Sequence, residues 1–234
     1  MRKDYSRARF GIERCMENVE RLAHVPLFAG LGEQDLKAIG RHAIGRRYAA
    51  GTVIVQEGGP SDTLYVLTSG RVKVYISDED GAEVILAFLG VDEIFGEMAL
   101  IDKAPRSASV MTVEPTELLY VPMTAFQDTL VCNSAFAVNL MRLLAGRIRL
   151  LNENVKSLAL LDVYGRIARV LLNLAKSQGE RLIIDQRLTH QQLADMVGSS
   201  REMVSRIMKD LERGGYISIE NRCIVIAEKL PRGY

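Results

Sequence analysis

The feature that most constrains this chain is a run of apolar residues, between Ala135 and Leu161, that recur at alternating spacings of four and three. Such spacing places them along one side of a helix, because an α-helix completes two turns in about seven residues. We call these positions the apolar seam: Ala137, Met141, Leu144, Ile148, Leu151, Val155 and Leu158. No proline interrupts the run, and Gly146 is its only glycine. The run therefore predicts one long amphipathic helix.

Two interpretations of the apolar seam are open. The helix can pack on its own domain, since fewer than four heptads are weak support for a coiled coil when taken alone. It can also pair with the same helix of a second copy, because burying one large aliphatic side chain contributes about 1.5–3 kcal/mol. Seven such positions per chain can outweigh the entropy lost on association. We expect self-pairing, and therefore a homodimer.

Length and composition predict two globular domains joined by that helix. With 234 residues, the chain exceeds the usual size of one compact domain. It is 48% hydrophobic and 25% charged, which excludes the disordered and fibrous classes. No apolar run approaches the roughly 20 residues of a membrane span, and the start, MRKDYSRARF, has no apolar signal core behind it. We therefore expect a cytoplasmic protein without a membrane partner.

Cysteine usage and charge narrow the function classes further. Cys15, Cys132 and Cys223 are widely spaced, so the sequence contains neither a disulfide framework nor a CxxC metal or redox motif. Residues 1–133 carry 14 basic and 19 acidic side chains, whereas residues 134–234 carry 16 and 10. The back of the chain is thus its basic part. This excess permits a polyanionic partner without demonstrating one.

The front half changes from a helical pattern to a strand pattern. Apolar residues from Met16 to about His42 recur at helical spacing on both sides of a break at Pro26. Glycines then separate short segments rich in β-branched and aromatic residues, namely 52–56, 64–68, 72–76 and 83–88. Two hairpin turns are predicted, at residues 69–70 and 78–81. Short strands at this interval predict a sandwich or barrel.

Chemically distinctive residues follow in the run FGEMALIDKAPRSASV, residues 95–110. Gly96 lets a ligand approach the backbone closely, and the residues after it can form a helical turn whose N–H groups attract an anion. Arg106 offers a planar fork for two phosphate oxygens, Ser107 adds a hydroxyl donor, and Glu97 can accept from a sugar hydroxyl. Charges of both signs fit a sugar phosphate better than a bare anion. Singly these are common loop residues, and only their combination is specific.

The back half begins with a predicted helix and ends with a predicted hairpin. A helix is predicted over 163–176, and a polar stretch with a glycine, residues 177–180, ends it. Near the end of the chain, residues 214–226 read as a turn followed by a hairpin, with strands at 216–219 and 222–226 around a turn at 220–221. Such a hairpin is the wing of a winged helix-turn-helix.

Two capping patterns stand between these elements. Thr189 with Gln192, and Ser199 with Glu202, have the S/T-x-x-E/Q spacing of capping boxes, each of which opens a short helix. Gly198 lies in the tight connection between the two helices. Helix, glycine turn and helix in this order predict a helix-turn-helix.

The second of these helices has an apolar and a polar face. Its inward residues are Met203, Val204, Ile207, Met208 and Leu211, and its outward residues are Arg201, Glu202, Ser205, Arg206 and Lys209. Two arginines near the helix start can reach guanine edges, a glutamate can accept from a cytosine amino group, and a lysine suits a phosphate. The alternative is a solvated face on which Glu202 only completes its capping box.

Both halves resemble one family. The run FGEMALIDKAPRSASV resembles the phosphate-binding cassette of cyclic-nucleotide-binding domains, and the motifs LALLDV, GRIA and VGSSRE of the back half resemble the same regulators. From about Leu22 onward the chain is identified as a member of the cyclic-AMP receptor protein and fumarate-nitrate regulator superfamily. The resemblance implies a β-roll in which Gly96 and Glu97 meet the ribose, while Arg106 and Ser107 hold the cyclic phosphate.

The resemblance also implies the remaining site residues. Further expected ligand-binding residues are Met98, Ala99, Ala108, Arg147, Leu151 and Asn152. The expected DNA-binding residues are Thr189, Gln191, Ser200, Arg201, Glu202, Ser205, Arg206 and Lys209. Arg201, Glu202 and Arg206 match the base-reading positions of the family, which implies an operator with inverted repeats related to TGTGA.

The adenine-reading positions depart from the family pattern. Cyclic-AMP receptors carry a neighbouring Thr and Ser on the long helix, where this chain has Leu151 and Asn152. Leu151 has no polar group, although Asn152 can donate or accept a hydrogen bond and Arg147 matches a pocket-facing arginine. Cyclic AMP is the expected effector, and cyclic GMP, cyclic di-GMP or no small ligand are the alternatives. An iron–sulfur cluster or haem is not expected, because Cys15 alone cannot hold a cluster and neither His24 nor His42 shows a haem signature.

We therefore expect an α+β protein with three segments: a β-roll (jelly-roll) sensor over 1–133, a dimerisation helix over 134–161 and a winged helix-turn-helix over 162–234. The predicted function is that of a homodimeric transcription regulator, controlled by a cyclic nucleotide bound between the β-roll and the long helix. Its expected partners are double-stranded DNA and RNA polymerase, with no cofactor and no metal. A regulatory subunit that acts on a protein partner is the rival class, and an enzyme is not expected because no nucleophile–base pair emerges.

Overall fold

The computed structural model describes residues 14–60, 62–179, 181–220, 223–227 and 230. Its first element is a helix, α1, which ends at residue 24. A 3₁₀ turn at Pro26–Phe28 and the helix α2 at Glu33–His42 follow. The predicted break at Pro26 is confirmed, since proline is tolerated in the first turn of a helix but not in its interior.

Two four-stranded sheets form the body of the front half, which confirms the predicted β-roll. The strands are β1 Ile44–Tyr48, β2 Val53–Val55, β3 Thr63–Ser69, β4 Val72–Ser77, β5 Glu83–Leu89, β6 Ile94–Phe95, β7 Ser109–Thr112 and β8 Thr116–Pro122. Their orders are β1-β8-β3-β6 and β2-β7-β4-β5. A short helix, α3 at Met98–Asp102, lies between β6 and β7.

Strand β3 separates two hydrophobic cores. Leu64 and Val66 belong to a core that they share with the helices, whereas Tyr65 and Leu67 belong to a second core between the two sheets. The division follows from strand geometry, because successive side chains point to opposite faces of a sheet. The neighbouring strand β8 alternates in the same way. These four residues, of the seven in β3, are at least 92% buried, so this strand lies at the centre of the front half.

The long helix is present as predicted. Helix α4 at Met123–Cys132 is followed by α5 at Ser134–Leu160. The first part of α5 contributes to the core that β3 shares with the helices, and Leu144 of the apolar seam packs partly against that core. The expectation that the seam faces a second copy stays a prediction, and Leu144 is only partly available for it because this side chain also contacts its own domain.

Five positions of the apolar seam, on both sides of Leu144, are exposed in the single chain. Met141, Ile148, Leu151, Val155 and Leu158 have exposed fractions between 49% and 64%. Five large apolar side chains on one face of a helix are unfavourable in water, since each leaves apolar area unburied. Scattered exposed aliphatics are normal on protein surfaces, whereas a continuous stripe marks an interaction surface.

The back half has the elements of a winged helix-turn-helix. They are α6 Val163–Leu174, β9 Lys176–Gln178, β10 Arg181–Ile184, α7 His190–Val197, α8 Arg201–Arg213, β11 Ile217–Glu220 and β12 Cys223–Ile226. The strands form one antiparallel sheet in the order β11-β12-β10-β9. Glu180, Asn221 and Arg222, which the sequence patterns placed in turns and in the last strand, lie outside the described residues.

Three local predictions need correction. The helix predicted over 163–176 ends at Leu174, because Lys176 begins a strand that pairs with β10. The turn at Ser69 and Gly70 is not a hairpin, since β3 and β4, which it joins, belong to different sheets. The six strands β1, β6, β7, β8, β9 and β10 were not predicted, and β6 has only two residues.

Two compact units make up the described chain. One contains the residues up to Asp78 together with Leu86–Gly146, and the other contains Glu79–Ile85 together with the residues from Arg147 onward. The division falls within α5, whereas the sequence-based borders at 133/134 and 161/162 set that helix apart as a segment of its own. Those borders remain a prediction.

Within the described residues, no single helix has both the length and the apolar character of a membrane span. The helices α4 and α5 reach that level only as a pair, by length and composition, with a bend of 110° between them.

The core of the back half provides a stability prediction. Leu171→Ala should lower the free energy of unfolding by about 2–5 kcal/mol, because Leu171 is fully buried and its truncation leaves a cavity. Its neighbour Leu172 is 46% exposed, so Leu172→Ala should change stability by less than about 0.5 kcal/mol. Urea denaturation of both variants, followed by circular dichroism, measures the difference. Equal losses would contradict the assignment of α6's buried face.

Candidate functional site

Arg106 is the centre of the candidate effector site. Its guanidinium donates from Nη1 to the carbonyl oxygen of Gly96 and from Nη2 to that of Thr63, each at 2.8 Å. Only 5% of the residue is exposed. A guanidinium has five N–H donors, so these two bonds do not exhaust it. The arrangement therefore presents an oriented, largely desolvated cation that can bind an anion strongly.

The main chain of Arg106 is also held by hydrogen bonds. Its carbonyl oxygen accepts from Gly58 N at 2.8 Å, and its own N–H donates to the carbonyl of Gly59 at 3.1 Å. These bonds join the cassette to the loop between β2 and β3, which sequence reasoning did not connect with the site. The position of the arginine is thus fixed at both the backbone and the side chain.

Gly96 is required by the geometry of the site. Its φ is +87°, which L side chains rarely adopt. A Cβ there would collide with Arg106 Nη1, and it would lie 3.1 Å from the Thr63 carbonyl oxygen and 3.2 Å from Tyr65 Cδ2. The absence of a side chain is what allows the guanidinium to reach the Gly96 carbonyl. The close approach seen at Gly96 is that of the Arg106 guanidinium, and the approach of a ligand stays a prediction.

The other cassette residues differ in exposure. Glu97 is 1% exposed and precedes α3, and its carbonyl accepts the N–H groups of Leu100 and Ile101. Ala99 is buried, Ala108 is half-buried, and Met98 and Ser107 are exposed. The Ser107 hydroxyl contacts Met98 Sδ at 3.8 Å. The structure thus brings Gly96, Glu97 and Arg106 into one cluster, with Ser107 accessible beside it.

Two residues of this cluster were not predicted from the sequence. Thr63 supplies a carbonyl to Arg106, and the Arg106 guanidinium lies over the ring of Tyr65, 5.5 Å from its centroid. Both belong to β3, about forty residues before the arginine, so no local spacing could indicate them. Burial raises the pKa of Tyr65, and Arg106 opposes part of that rise.

The predicted contacts on the long helix lie in the second unit. Arg147 is half-buried, while Leu151 and Asn152 are exposed. Leu151 belongs to the exposed part of the apolar seam. Their predicted role toward the effector rests on the family resemblance.

The first helix of the helix-turn-helix begins as predicted. The Thr189 hydroxyl accepts from Gln192 N at 3.1 Å, and the Gln192 side chain accepts from Thr189 N at 3.0 Å, which completes a capping box. Gln191 is exposed, and its side-chain amide donates to Asp195 at 2.7 Å. The helix ends at Gly198, whose φ of +60° suits a glycine at this position.

The second helix begins one residue later than predicted. Its cap is Ser200, whose hydroxyl accepts from Met203 N at 3.2 Å, and not Ser199. The capping box predicted for Ser199 and Glu202 is therefore wrong, because the residue three positions after the true cap is Met203. Glu202 therefore has no role in a capping box. It lies in the first turn of the helix with its side chain exposed.

The outward face of α8 is as predicted. Val204, Ile207, Met208 and Leu211 are buried in the core of the second unit. Arg201, Glu202, Arg206 and Lys209 are exposed, and Ser205 is half-buried. Arg206 Nη2 lies 2.8 Å from Met203 Sδ, so its guanidinium lies along the helix surface. The face carries three cations and one carboxylate within nine residues.

Among the residues that the structure describes, no group of three or more His, Cys, Asp or Glu side chains is arranged to hold a metal ion.

Comparison with known proteins matches both halves. Residues 45–132 match the family model of the cyclic nucleotide-binding domain, and residues 165–230 match that of the Crp-like helix-turn-helix domain. The CRP-like cAMP-activated global transcriptional regulator of Mycobacterium tuberculosis is 31% identical over 219 residues, covering 91% of this chain and 98% of that protein. The chain belongs to the CRP/FNR superfamily of transcription regulators.

Two other members of the superfamily are similar to the chain. The cAMP-activated global transcriptional regulator CRP of Pasteurella multocida is 36% identical over 184 residues, covering 77% of this chain and 88% of its own. Among solved structures, the c-di-GMP-responsive global regulator CLP of Xanthomonas campestris has a TM-score of 0.70 and 28% identity, covering 84% of this chain and all of its own. The protein is thus a cyclic-nucleotide-binding transcription regulator of the CRP type, a family of regulators and not of enzymes.

Proposed function

We propose that the protein is a homodimeric transcription regulator that binds cyclic AMP at Arg106 and, in that state, binds inverted-repeat operators through α8. The observation that carries the proposal is the Arg106 cluster, in which a buried guanidinium donates to the carbonyl of Gly96 and the next residue along the chain, Glu97, is buried as well. A cyclic phosphate requires a strong anion site, and its ribose offers a hydroxyl that a carboxylate can accept from. The residues present therefore suit a cyclic nucleotide.

We propose cyclic AMP as the first candidate effector because of the similar proteins that are described as activated by it. The regulators of Mycobacterium tuberculosis and Pasteurella multocida, at 31% and 36% identity, are both described as cAMP-activated. Cyclic di-GMP is the second candidate, because the similar Xanthomonas regulator responds to it. Leu151 and Asn152, at positions where the resemblance expects Thr and Ser, leave cyclic GMP as a third candidate to be tested in parallel.

We further propose that a second copy of the chain covers the exposed part of the apolar seam. Its five side chains form a stripe along α5 that the described chain itself leaves exposed. An identical helix is complementary to such a stripe, since an apolar face can pack against its own copy around a two-fold axis. A homodimer also suits the DNA proposal, because paired reader helices require a two-fold axis. RNA polymerase is proposed as a further partner because such regulators act on transcription.

The effector proposal predicts that the variant Arg106→Ala binds cyclic nucleotides more weakly than the wild type. Removing a charged contact with two donors should weaken cyclic-nucleotide binding by about 2–5 kcal/mol. Calorimetric titration of the wild type and the variant with cyclic AMP, cyclic GMP and cyclic di-GMP measures the loss and ranks the effectors. Arg46→Ala is a matched control, because Arg46 also lies over a β-roll tyrosine, 4.8 Å from the Tyr120 centroid. Unchanged affinity in Arg106→Ala would remove the site assignment.

The dimer proposal predicts that Ile148→Asp with Val155→Asp yields a monomer. Each substitution places a carboxylate in the proposed apolar interface, and both side chains are more than half exposed in the single chain, so the domain cores are spared. Arg149→Asp with Lys156→Asp adds carboxylates at the same spacing, one residue further along, and should leave the dimer intact. Light scattering coupled to gel filtration measures the mass. A dimer in the seam variant would exclude α5 as the subunit contact.

The DNA proposal predicts different effects at Arg206 and Lys209. If Arg206 reads a guanine edge, Arg206→Ala should cost about 1–3 kcal/mol on the preferred half-site and relax the preference at one base pair. Lys209→Ala should instead weaken all sequences similarly and flatten the salt dependence. Fluorescence anisotropy on sites selected from a random pool, at several salt concentrations, separates the two. The selected sites should be inverted repeats with centres about one helical turn apart.

A uniform loss across all sequences in Arg206→Ala, or selection without a palindrome, would reduce α8 to a non-specific basic face. The rival proposal, a regulatory subunit that acts on a protein partner, would then gain support.

A further inference from the structure

Tyr65 contacts two residues of the arginine cluster on which the proposed function rests, Gly96 and Arg106. It pairs in register with Phe95, and the two rings are stacked with centroids 4.7 Å apart and an interplanar angle of 4°. Phe95 directly precedes Gly96, and Tyr65 Cδ2 lies close to the Gly96 backbone. The Arg106 guanidinium lies over the same ring. One side chain thus contacts the glycine, the strand that leads into it and the cation.

Two hydrogen bonds do not fix a guanidinium completely. The bonds from Nη1 and Nη2 to the carbonyls of Gly96 and Thr63 set the direction of the fork within its plane. The group can still tilt about the line that joins its two outer nitrogens. An aromatic ring within about 6 Å of the cation attracts it and limits that tilt. The ring of Tyr65 occupies this position.

The ring of Tyr65 is itself held in place. The ring of Tyr120 packs edge-on against it, with centroids 4.7 Å apart. The Tyr120 hydroxyl in turn hydrogen-bonds to that of Tyr48 on the edge strand β1. With Phe95 stacked on it as well, the Tyr65 ring has little freedom to move, as a rigid support requires.

We propose that Tyr65 is a positioning residue for the effector: its ring holds the Arg106 guanidinium in the orientation that binds the cyclic phosphate. The proposal rests on the proposed function of the site. We assign this role to the ring, because Phe and Tyr offer the same face to a cation. The Tyr65 hydroxyl also interacts with Arg106, and the variant Tyr65→Phe separates its contribution from that of the ring. Burial raises the pKa of Tyr65, so the phenol stays neutral under ordinary conditions and adds no charge beside the phosphate.

The test compares Tyr65→Leu with Tyr65→Phe in the full-length protein. The probe is whichever of cyclic AMP, cyclic GMP and cyclic di-GMP the wild type binds most tightly by calorimetric titration. Tyr65→Leu should weaken binding about ten-fold, because the attraction of the ring for a desolvated cation is lost. Tyr65→Phe should bind within about two-fold of the wild type. Tyr65→Met is the second variant, to be used if Tyr65→Leu does not fold.

Tyr75 provides a matched control elsewhere in the β-roll. It is 7% exposed, against 8% for Tyr65, and Lys73 Nζ lies 4.4 Å from its ring centroid. Tyr75→Leu therefore removes an equally buried tyrosine under a cation, but on β4 in the other sheet. It should lower the melting temperature about as much as Tyr65→Leu and leave effector affinity unchanged.

A double variant tests whether Tyr65 acts through Arg106. In an Arg106→Gln background no cation remains for the ring to attract, so adding Tyr65→Leu should cost less than about two-fold in affinity. An undiminished ten-fold cost, or equal losses in Tyr65→Phe and Tyr65→Leu, would overturn the inference, as would an equal loss in Tyr75→Leu. If Arg106→Ala loses binding while Tyr65→Leu binds as the wild type does, only this inference fails. If the wild type binds none of the three nucleotides, the proposed function fails and this inference with it.

Discussion

The burial of one guanidinium is the constraint on which the front half of this protein depends. Removing a cation from water costs several kcal/mol unless acceptors surround it. Arg106 receives them from the main chain, at Thr63 and Gly96, and its own backbone is tied to the loop at Gly58 and Gly59. Three features of the front half supply these bonds to the single charge. They are the positive φ of Gly96, the course of β3 and the position of the loop between β2 and β3. A site built this way is organised before the effector arrives, so little binding energy is lost in ordering it.

Sequence patterns predicted the elements of this fold well wherever the signal was local. The spacing along α5, the break at Pro26 and the capping box at Thr189 each depend on residues within one or two turns of each other. The contribution of β3 to the arginine cluster could not be predicted, because Tyr65 and Arg106 meet only through strand pairing across forty residues. The prediction of the N-cap residue of α8 was wrong for another reason. Ser199 and Ser200 offer the same chemistry, and only the backbone geometry after Gly198 selects between them.

The apolar seam illustrates a limit of periodicity as a predictor. The sequence pattern is the same whether a side chain is buried in its own domain or by a partner chain. In both cases the residues are apolar and recur every three or four positions. Within α5, Leu144 meets the core of its own domain while Ile148, one turn later, is exposed. The exposed fraction of each side chain separates the seam residues that contact their own domain from those that a second subunit can contact.

The position of β3 between two cores has a thermodynamic consequence. Its side chains alternate between the helical core and the core between the two sheets, which includes Tyr65 beside Arg106, so displacing this strand removes packing from both cores. A ligand that binds only the folded site adds RT ln(1 + [L]/Kd) to the stability of the native state, which is about 2.7 kcal/mol at one hundred times Kd. Through β3 that gain extends to the helices α2 and α4, although they lie in the other core. Occupancy of the nucleotide site is therefore measurable as protection of distant helical amides against hydrogen exchange.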